Sequence, residues 1–132
     1  MIVALLFLAN YAPFVCTPTY YRLDMLRHYN TWQIHGLWIE QCQECLACGY
    51  PSFCKNVQYN SSLLDPIKTQ LAQYWYPGLL QHEWFKHGSC FPGNITEFDY
   101  FNMTLQLFYH LDINNCTKIS QKECFYNITK LK

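Results

Sequence analysis

The sequence predicts a folded, disulfide-bonded domain that combines helices with strands. Of its 132 residues, 51% are hydrophobic and only 14% are charged, which is typical of a chain with a buried core. Residues 31–40 have the β-branched and aromatic composition of a strand, and other stretches have apolar residues at helical spacing. The length suits one unit, so we expect residues 1–132 to form a single domain.

The first thirty residues contain an apolar run and a polar, aromatic segment. The run at 1–9 is short, and no basic residue precedes Arg22. A signal peptide starts with a basic segment and ends at small residues, so this run is a poor match to one. We interpret residues 17–30 as a connection with a short helix near 23–28. No run has the length of a membrane-spanning helix, so we expect no membrane span.

The strand predicted at 31–40 carries a histidine. Side chains alternate between the two faces of a strand, so His35 is expected on the face opposite Ile34 and Gly36. Gly36 has no side chain, which allows another group to approach the backbone closely. A single histidine on a strand is more often structural than catalytic. His35 is therefore a catalytic candidate only in combination with a second cluster of ionisable residues.

Eight cysteines and five Asn-x-Ser/Thr triplets favour a secretory route. The triplets begin at Asn60, Asn94, Asn102, Asn115 and Asn127. Cys42, Cys45 and Cys48 have a spacing that fits a metal or cluster site, a redox pair or loop disulfides. Disulfides are favoured in a secreted, glycosylated chain. We expect this protein to be secreted or to lie in the lumen of the secretory or vacuolar–lysosomal pathway.

Two stretches have helical periodicity. Apolar residues at 63, 64, 67, 71 and 74 predict a helix over 63–74, with Pro66 tolerated in its first turn. An aromatic and aliphatic stripe repeats every three to four residues over 98–110 and predicts a second helix. We expect this stripe to lie in the core and not to serve as a platform for bases.

The densest cluster of ionisable groups follows the first predicted helix. On a helix that advances about 100° per residue, His82, Glu83, Lys86 and His87 fall within about 140° of one another and share a face. Two histidines of near-neutral pKa, a carboxylate and a cation suit acid–base chemistry on an anionic substrate. Gly88 suits the left-handed conformation that ends a helix, so we expect the helix to stop there.

Zinc binding is the alternative for this cluster, and the spacing disfavours it. A helical zinc motif places histidines at i and i+4, about 40° apart. His82 and His87 are at i and i+5, about 140° apart, and Lys86 occupies the position of the second ligand. A cation at that position repels a metal, so we expect neither a metal nor another cofactor.

The two histidine stretches together resemble the active-site segments of the ribonuclease T2 family. Residues 34–38 read IHGLW and residues 82–90 read HEWFKHGSC, and they match the family's segments in order, separation and nearly every position. The family's flanking motifs are similar to residues 11–16, 49–54 and 74–77. The resemblance weakens after residue 113, where the C-terminal region is short compared with the family.

The resemblance implies an α+β fold with a central antiparallel β-sheet and packed helices. His35 would lie on the sheet, and the helix at 82–87 would pack against it. Residues 1–9 would form the first, buried strand, and residues 124–129 one late strand. Because at least one family strand is missing or compressed, the sheet is expected to be incomplete and open at an edge.

The resemblance also implies part of the disulfide pattern. It suggests a bridge between Cys54 and Cys90 and another between Cys116 and Cys124. The family partner of Cys16 is missing from this chain. Cys16 is therefore left to pair with one of the three clustered cysteines or to stay free.

By resemblance, the chain is an endoribonuclease that cleaves single-stranded RNA without a metal. The ribose 2′-hydroxyl attacks the adjacent phosphorus and a 2′,3′-cyclic phosphate forms. His87 would be the general base and His35 the general acid, with Lys86 and Glu83 acting at the phosphate and His82 binding it. DNA lacks the 2′-hydroxyl, so we expect RNA and not DNA as the partner of a monomeric enzyme.

Trp38 and Glu40 occupy the family's positions for binding a base. Stacking on an indole tolerates any base, and plain core packing is the alternative role for Trp38. Ile39 replaces a usual proline, and Leu79 and Leu80 stand where Phe and Trp are common in the family. These departures leave the base preference open.

The rival interpretation is a catalytically impaired, secreted relative that acts as a binding or signalling protein. The short C-terminal region favours it, whereas the intact set of His35, Glu83, Lys86 and His87 disfavours it. A formal net charge of zero argues against a non-specific polyanion binder and remains compatible with an enzyme that engages one or two phosphates.

Overall fold

The computed structural model describes residues 14–131, and its centre is a four-stranded antiparallel sheet. The strands are β1 (Pro18–His28), β2 (Thr31–Cys42), β3 (Thr117–Lys118) and β4 (Glu123–Ile128), in the order β2-β1-β4-β3. The expected α+β class with a central antiparallel sheet is confirmed, and within the described residues β2 and β3 form the two ends of an open sheet. The strand expected at residues 1–9 lies outside the described residues.

β1 occupies residues that the sequence analysis interprets as a connection with a short helix, and that interpretation is wrong. The strand pairs with β2 on one side and with β4 on the other. At its centre Leu23, Asp24 and Met25 are all fully buried, so both faces of the strand are covered. In the sequence, polar and apolar residues alternate only over 22–25 before Leu26 breaks the pattern, which is too short a signal to identify the strand.

A β-bulge at His35 interrupts the pairing of β1 with β2. Asp24 pairs with Gly36 and Met25 pairs with Ile34, which leaves His35 as an extra residue in β2. The expectation that His35 lies opposite Ile34 is confirmed, because Ile34 is fully buried in the core. The expectation that it also lies opposite Gly36 is wrong, because the extra residue brings His35 and Gly36 to the same face.

Over residues 14–131, three α-helices accompany the sheet: α1 (Lys68–Tyr74), α2 (Leu80–Lys86) and α3 (Glu97–Tyr109). The helix predicted over 63–74 begins as a 3₁₀-helix at Ser61–Ile67 and becomes α-helical only in α1. The helix predicted over 98–110 is α3, which starts with a capping box at Thr96. Within the described part of the chain, no helix has both the length and the apolar character that a bilayer crossing demands.

The core lies between one face of the sheet and the helices. Leu23 and Leu37 extend from the sheet, and Trp75, Tyr100 and Phe101 pack among the fully buried residues of the helical layer. The Tyr100 hydroxyl donates a hydrogen bond to the Leu37 carbonyl at 2.9 Å, which satisfies a buried polar group. The aromatic stripe of α3 is therefore part of the core, as predicted.

Gly88 does not end α2 in the left-handed conformation that the sequence analysis predicts. α2 ends at Lys86, and a 3₁₀-helix, Gly88–Cys90, follows it. The φ angle of Gly88 is not positive. Gly88 is needed for space instead, because a Cβ atom at this position would collide with the Trp84 ring. Local sequence does not reveal this requirement, since it depends on where the Trp84 ring packs.

All eight cysteines form disulfides. The bridges are Cys16–Cys42, Cys45–Cys48, Cys54–Cys90 and Cys116–Cys124. Cys54–Cys90 and Cys116–Cys124 are the pairs that the resemblance implies. The clustered cysteines 42, 45 and 48 all lie in the other two bridges, as the disulfide interpretation predicts. Cys54–Cys90 ties the segment after β2 to the residues that follow α2, and so holds the end of that helix in place.

Candidate active site

Two strands and one helix bring the predicted site residues together. Arg22 and Asp24 of β1 lie on the same face of the sheet as their β2 partners, Trp38 and Gly36. We call this surface the site face. α2 packs against β2 and directs Glu83 to the site face.

Glu83 is the buried centre of the site, with 1% of its side chain exposed. The Trp38 indole Nε1 donates a hydrogen bond to Glu83 Oε1 at 2.7 Å. A Cβ atom at Gly36 would collide with the same oxygen, so the close approach expected at Gly36 is made by the Glu83 carboxylate. Burial raises the pKa of Glu83, and the Trp38 hydrogen bond and the charges of His35 and Lys86 oppose that rise.

His35 lies between two carboxylates. Its Nδ1 is 3.0 Å from Asp24 Oδ1, and its Nε2 is 3.9 Å from Glu83 Oε2. Burial alone lowers the pKa of His35, but the Asp24 hydrogen bond and the charges of Glu83, Asp24 and Glu123 outweigh burial, so the net shift is upward. His35 therefore keeps its proton to a higher pH than an unperturbed histidine does.

His87 follows the last turn of α2 and is only 3% exposed. Burial lowers the pKa of His87 to about 3, and the positive charges of Lys86, His35 and His82 act in the same direction. Its Nδ1 has no hydrogen-bond partner within the described structure. His87 is thus a neutral imidazole at neutral pH and through most of the acidic range.

The two histidines have opposite protonation states in one site. Both contact the Trp38 ring: His35 meets it edge-on with centroids 5.0 Å apart, and His87 stacks on it at 4.8 Å. A protonated and a neutral imidazole beside a buried carboxylate provide a general acid and a general base at once. This arrangement can transfer one proton to a substrate and accept another from it.

His82 and Lys86 lie on the more exposed side of the site. The His82 side chain is 53% exposed, and its Nε2 is 3.9 Å from Glu83 Oε2. Lys86 is half-buried, and its Nζ is 5.6 Å from the centroid of the Tyr50 ring. The polar face predicted for this helix therefore divides into two nearly buried groups, Glu83 and His87, and two more exposed groups, His82 and Lys86.

Trp38 and Glu40, the residues predicted for a base site, lie on the same side of β2. The Trp38 ring already contacts His87 and the Arg22 guanidinium, whose Cζ is 5.3 Å from the centroid, and its N–H is bound to Glu83. Burial raises the pKa of Glu40, and the Arg22 charge opposes that rise. Trp38 thus supports its neighbours, a role that the sequence analysis does not assign to it.

Three residues of this site were not predicted from the sequence: Arg22, Asp24 and Tyr50. Asp24 is fully buried and accepts a hydrogen bond from Arg22 Nη2 at 2.6 Å. The Tyr50 ring lies 5.8 Å from the His87 ring. One signal was available: Arg22 and Asp24 are opposite charges at i and i+2 in an apolar run, which places them on one face of a strand.

The donor atoms of Asp24, His35 and Glu123 lie within 4.8 Å of one another, a spacing that suits a metal ion. Arg22 Nη2, however, is 2.6 Å from Asp24 Oδ2 and 3.8 Å from Glu123 Oε2. The guanidinium already supplies the positive charge that these carboxylates require. The donor set therefore fits a hydrogen-bonded network better than a metal site.

Comparison with known proteins identifies relatives of this chain. The model of the Ribonuclease T2 family matches residues 3–129. A ribonuclease T2-like protein of Emericella nidulans is 31% identical over 107 residues, ribonuclease T2 of Danio rerio is 28% identical over 98, and a probable ribonuclease of Haemophilus influenzae is 38% identical over 98. These alignments cover 62%, 66% and 71% of this chain but 25%, 37% and 33% of the relatives, so the chain spans well under half of their length.

Solved structures share the fold at low sequence identity. A mutant of ribonuclease MC1 in complex with 5′-UMP superposes with a TM-score of 0.67 at 15% identity, covering 90% of each chain. The self-incompatibility-associated SF11-RNase of Nicotiana alata has a TM-score of 0.54 at 15% identity, covering 83% of this chain and 86% of that one. Together with the family match, these likenesses place the sheet and α2 within a known fold.

Proposed function

The chain belongs to the ribonuclease T2 family, and from that premise we propose that it is an endoribonuclease that cleaves single-stranded RNA. The observation that carries the proposal is the histidine pair: the pKa of His35 is raised and that of His87 is lowered, with the buried Glu83 carboxylate in the same site. Environments that separate the pKa values of two groups assign one as acid and the other as base. The names of the matched relatives agree with this activity.

RNA carries its own nucleophile, the ribose 2′-hydroxyl. In the proposed reaction, neutral His87 accepts the 2′ proton while the oxygen attacks the adjacent phosphorus. Protonated His35 donates its Nε2 proton to the departing 5′-oxygen. One P–O bond forms and one breaks, which leaves a 2′,3′-cyclic phosphate end and a 5′-hydroxyl end. The two proton transfers need no metal ion.

Negative charge grows on the non-bridging phosphate oxygens during this step. A cation placed where charge develops lowers the barrier most effectively, and we assign that role to Lys86. His82 is exposed and therefore able to bind a phosphate oxygen. Glu83 lies 3.9 Å from both His35 and His82, so we assign it to holding and tuning these rings at the phosphate.

The substrate class follows from the reaction. DNA lacks the 2′-hydroxyl and is therefore inert in this mechanism. Single-stranded RNA exposes its bases for stacking, and the site face offers Trp38 and the half-exposed Tyr50 as aromatic surfaces, with Glu40 as an acceptor for base donors. We propose a monomeric enzyme that binds RNA through these groups.

The disulfides support a secreted or lumenal location. Four bridges persist only in an oxidising compartment. Four of the five glycosylation triplets have an exposed asparagine, and the fifth is half-buried in α3. The exposed asparagines are Asn60, Asn94, Asn115 and Asn127. We therefore propose a glycosylated protein of the secretory or vacuolar–lysosomal pathway.

Cleavage of polymeric RNA by oxidised protein in EDTA tests the proposal. The native enzyme is expected to produce 2′,3′-cyclic phosphate ends at pH 4 to 7, and His87→Ala and His35→Ala are each expected to lose about 10²–10⁴-fold in rate. His110→Ala is the matched control, because His110 is an exposed histidine outside the site. If folded native protein leaves RNA intact, the proposed activity is wrong and the binding or signalling interpretation replaces it.

A further inference from the structure

Asp24 makes a separate hydrogen bond with each oxygen of its buried carboxylate. Oδ1 is 3.0 Å from His35 Nδ1, whereas Oδ2 accepts from Arg22 Nε at 3.0 Å and from Arg22 Nη2 at 2.6 Å. Asp24 lies at the centre of β1 and is fully buried. A buried carboxylate is strongly destabilising unless it is paired, so these bonds constrain where the carboxylate points.

Arg22 is itself held in place on its other sides. Its Cζ lies 4.3 Å from the Phe125 centroid and 5.3 Å from the Trp38 centroid, which are cation–π distances. Its Nη2 is also 3.8 Å from Glu123 Oε2. The guanidinium therefore cannot move away from Asp24 without losing contacts to β2 and β4.

His35 needs such support because of its place in the sheet. It is the extra residue of the β-bulge in β2 and has no paired residue on β1. Its ring is instead held by Asp24 from the neighbouring strand. With Nδ1–H donated to Asp24, Nε2 is the nitrogen that faces Glu83.

We propose that Asp24 is a positioning residue for His35, which it holds in the Nδ1–H tautomer with Nε2 directed at the scissile phosphate, and that Arg22 fixes Asp24 in turn. The proposal rests on the proposed function for its catalytic meaning. When His35 loses its Nε2 proton, the Nδ1–H bond to Asp24 persists. The ring therefore keeps one orientation through the reaction cycle.

Several charged groups besides Asp24 surround His35. Arg22 faces it from β1 through Asp24, and Glu123 from β4. α2 contributes Glu83, His82 and Lys86, and His87 follows the end of that helix. Replacement of Asp24 by asparagine removes one negative charge and leaves these other groups in place. Because the two Arg22 donors hold the remaining amide oxygen, the amide NH2 faces His35 in place of the acceptor for Nδ1–H. The variant therefore isolates what Asp24 contributes.

Nitrogen-detected NMR of His35 in the native protein is the first test, and it requires no activity. Above its pKa, His35 is expected to be the Nδ1–H tautomer with a slowly exchanging Nδ1 proton; the Nε2–H tautomer would overturn the proposal. The tautomer can be measured even if the protein cleaves no RNA. The test therefore distinguishes an error in this proposal from an error in the proposed function.

The second test compares Asp24→Asn with Asp65→Asn, an exposed control. In Asp24→Asn the pKa of His35 is expected to fall, the falling limb of the kcat–pH profile to move to lower pH, and kcat to decrease about 100-fold with little change in KM. An unchanged His35 titration and pH profile in the folded variant would contradict the proposal. If the variant does not fold, the tautomer of the native protein decides.

Discussion

The rings of Trp38 and His87 stack, with centroids 4.8 Å apart and an angle of 24° between their planes. The same indole donates its N–H to Glu83 at 2.7 Å. Trp38 therefore holds two of the groups that we assign to the reaction, His87 and Glu83. An RNA base that stacks on Trp38 would contact a ring that already packs against His87. A substitution can separate these two contacts.

Trp38→Phe keeps an aromatic face for His87 and removes the N–H that Glu83 accepts. Leaving a buried acceptor without its donor costs about 1–3 kcal/mol of unfolding free energy. We expect kcat to fall roughly tenfold, because Glu83 loses its fixed position, while KM changes little since a ring remains. Steady-state kinetics on a dinucleotide and urea unfolding check both effects.

Trp32→Phe is the matched control, because Trp32 lies in β2 outside the site and is half-buried. It is expected to leave kcat unchanged. A rise in KM with no change in kcat in Trp38→Phe would mean that base stacking is the main role of Trp38.

Gly36→Ala tests the close approach of Glu83 to the backbone. The new Cβ atom collides with the Glu83 carboxylate, so the carboxylate has to move. Overpacking of this kind lowers the free energy of unfolding by about 1–3 kcal/mol. We expect the activity to fall as well, because the Glu83 carboxylate is displaced. Gly88→Ala is the comparison, because its Cβ collides with Trp84 and perturbs the core instead.

A double-mutant cycle separates the collision from other effects of the alanine. In a Glu83→Ala background the carboxylate is absent and only the contact with Trp38 Nε1, at 2.7 Å, remains, so Gly36→Ala is expected to lower the unfolding free energy less than in the native protein. Chemical denaturation of the four proteins measures the coupling. If the effects of the two substitutions on the unfolding free energy are additive, the Glu83 carboxylate is not the reason that position 36 requires glycine.

The sequence predicted β2, the two long helical stretches and the disulfide-bonded nature of the chain because each of these leaves a local signal. Residue composition marked the strand, periodicity marked the helices, and the cysteines stood in a context that favours bridges. The residues of the candidate site on α2 followed from their density in a short stretch. These signals depend on neighbours in sequence.

What the sequence did not reveal depends on neighbours in space. β1 alternates between polar and apolar residues only over 22–25, too short a stretch to reveal a central strand, so Asp24 was missed with it. The bulge at His35 exists only in the register with β1, and Gly88 is required by the position of a ring one turn earlier. Such requirements arise from pairing and packing, which one sequence does not display.

The pH dependence of activity follows from the two histidines. Activity requires neutral His87, whose pKa is lowered to about 3, and protonated His35, whose pKa is raised above 6.5. We expect kcat/KM to rise with pH through about 3, to remain level, and to fall above pH 6.5. His35→Ala is expected to flatten the falling limb, and a residual activity that keeps this limb would assign the acid to another group.

The same burial of His87 makes the stability of the protein depend on pH. In the unfolded chain this histidine titrates near 6.5, and in the folded protein at about 3, so between these values the unfolded state binds a proton that the folded state does not. The unfolding free energy is therefore expected to decrease as the pH falls from 6.5 toward 3, by on the order of 4 kcal/mol.

His87→Phe removes this titration and keeps a ring for stacking on Trp38. Because His35 and Glu83 also titrate, the informative quantity is the difference in unfolding free energy between variant and native protein at each pH. That difference is expected to favour the variant increasingly as the pH falls from 7 to 4, whereas His110→Gln, an exposed control, is expected to show no such trend. A pH-independent difference would show that His87 is protonated as readily in the folded protein as in the unfolded chain, and it would remove the basis for assigning His87 as the base.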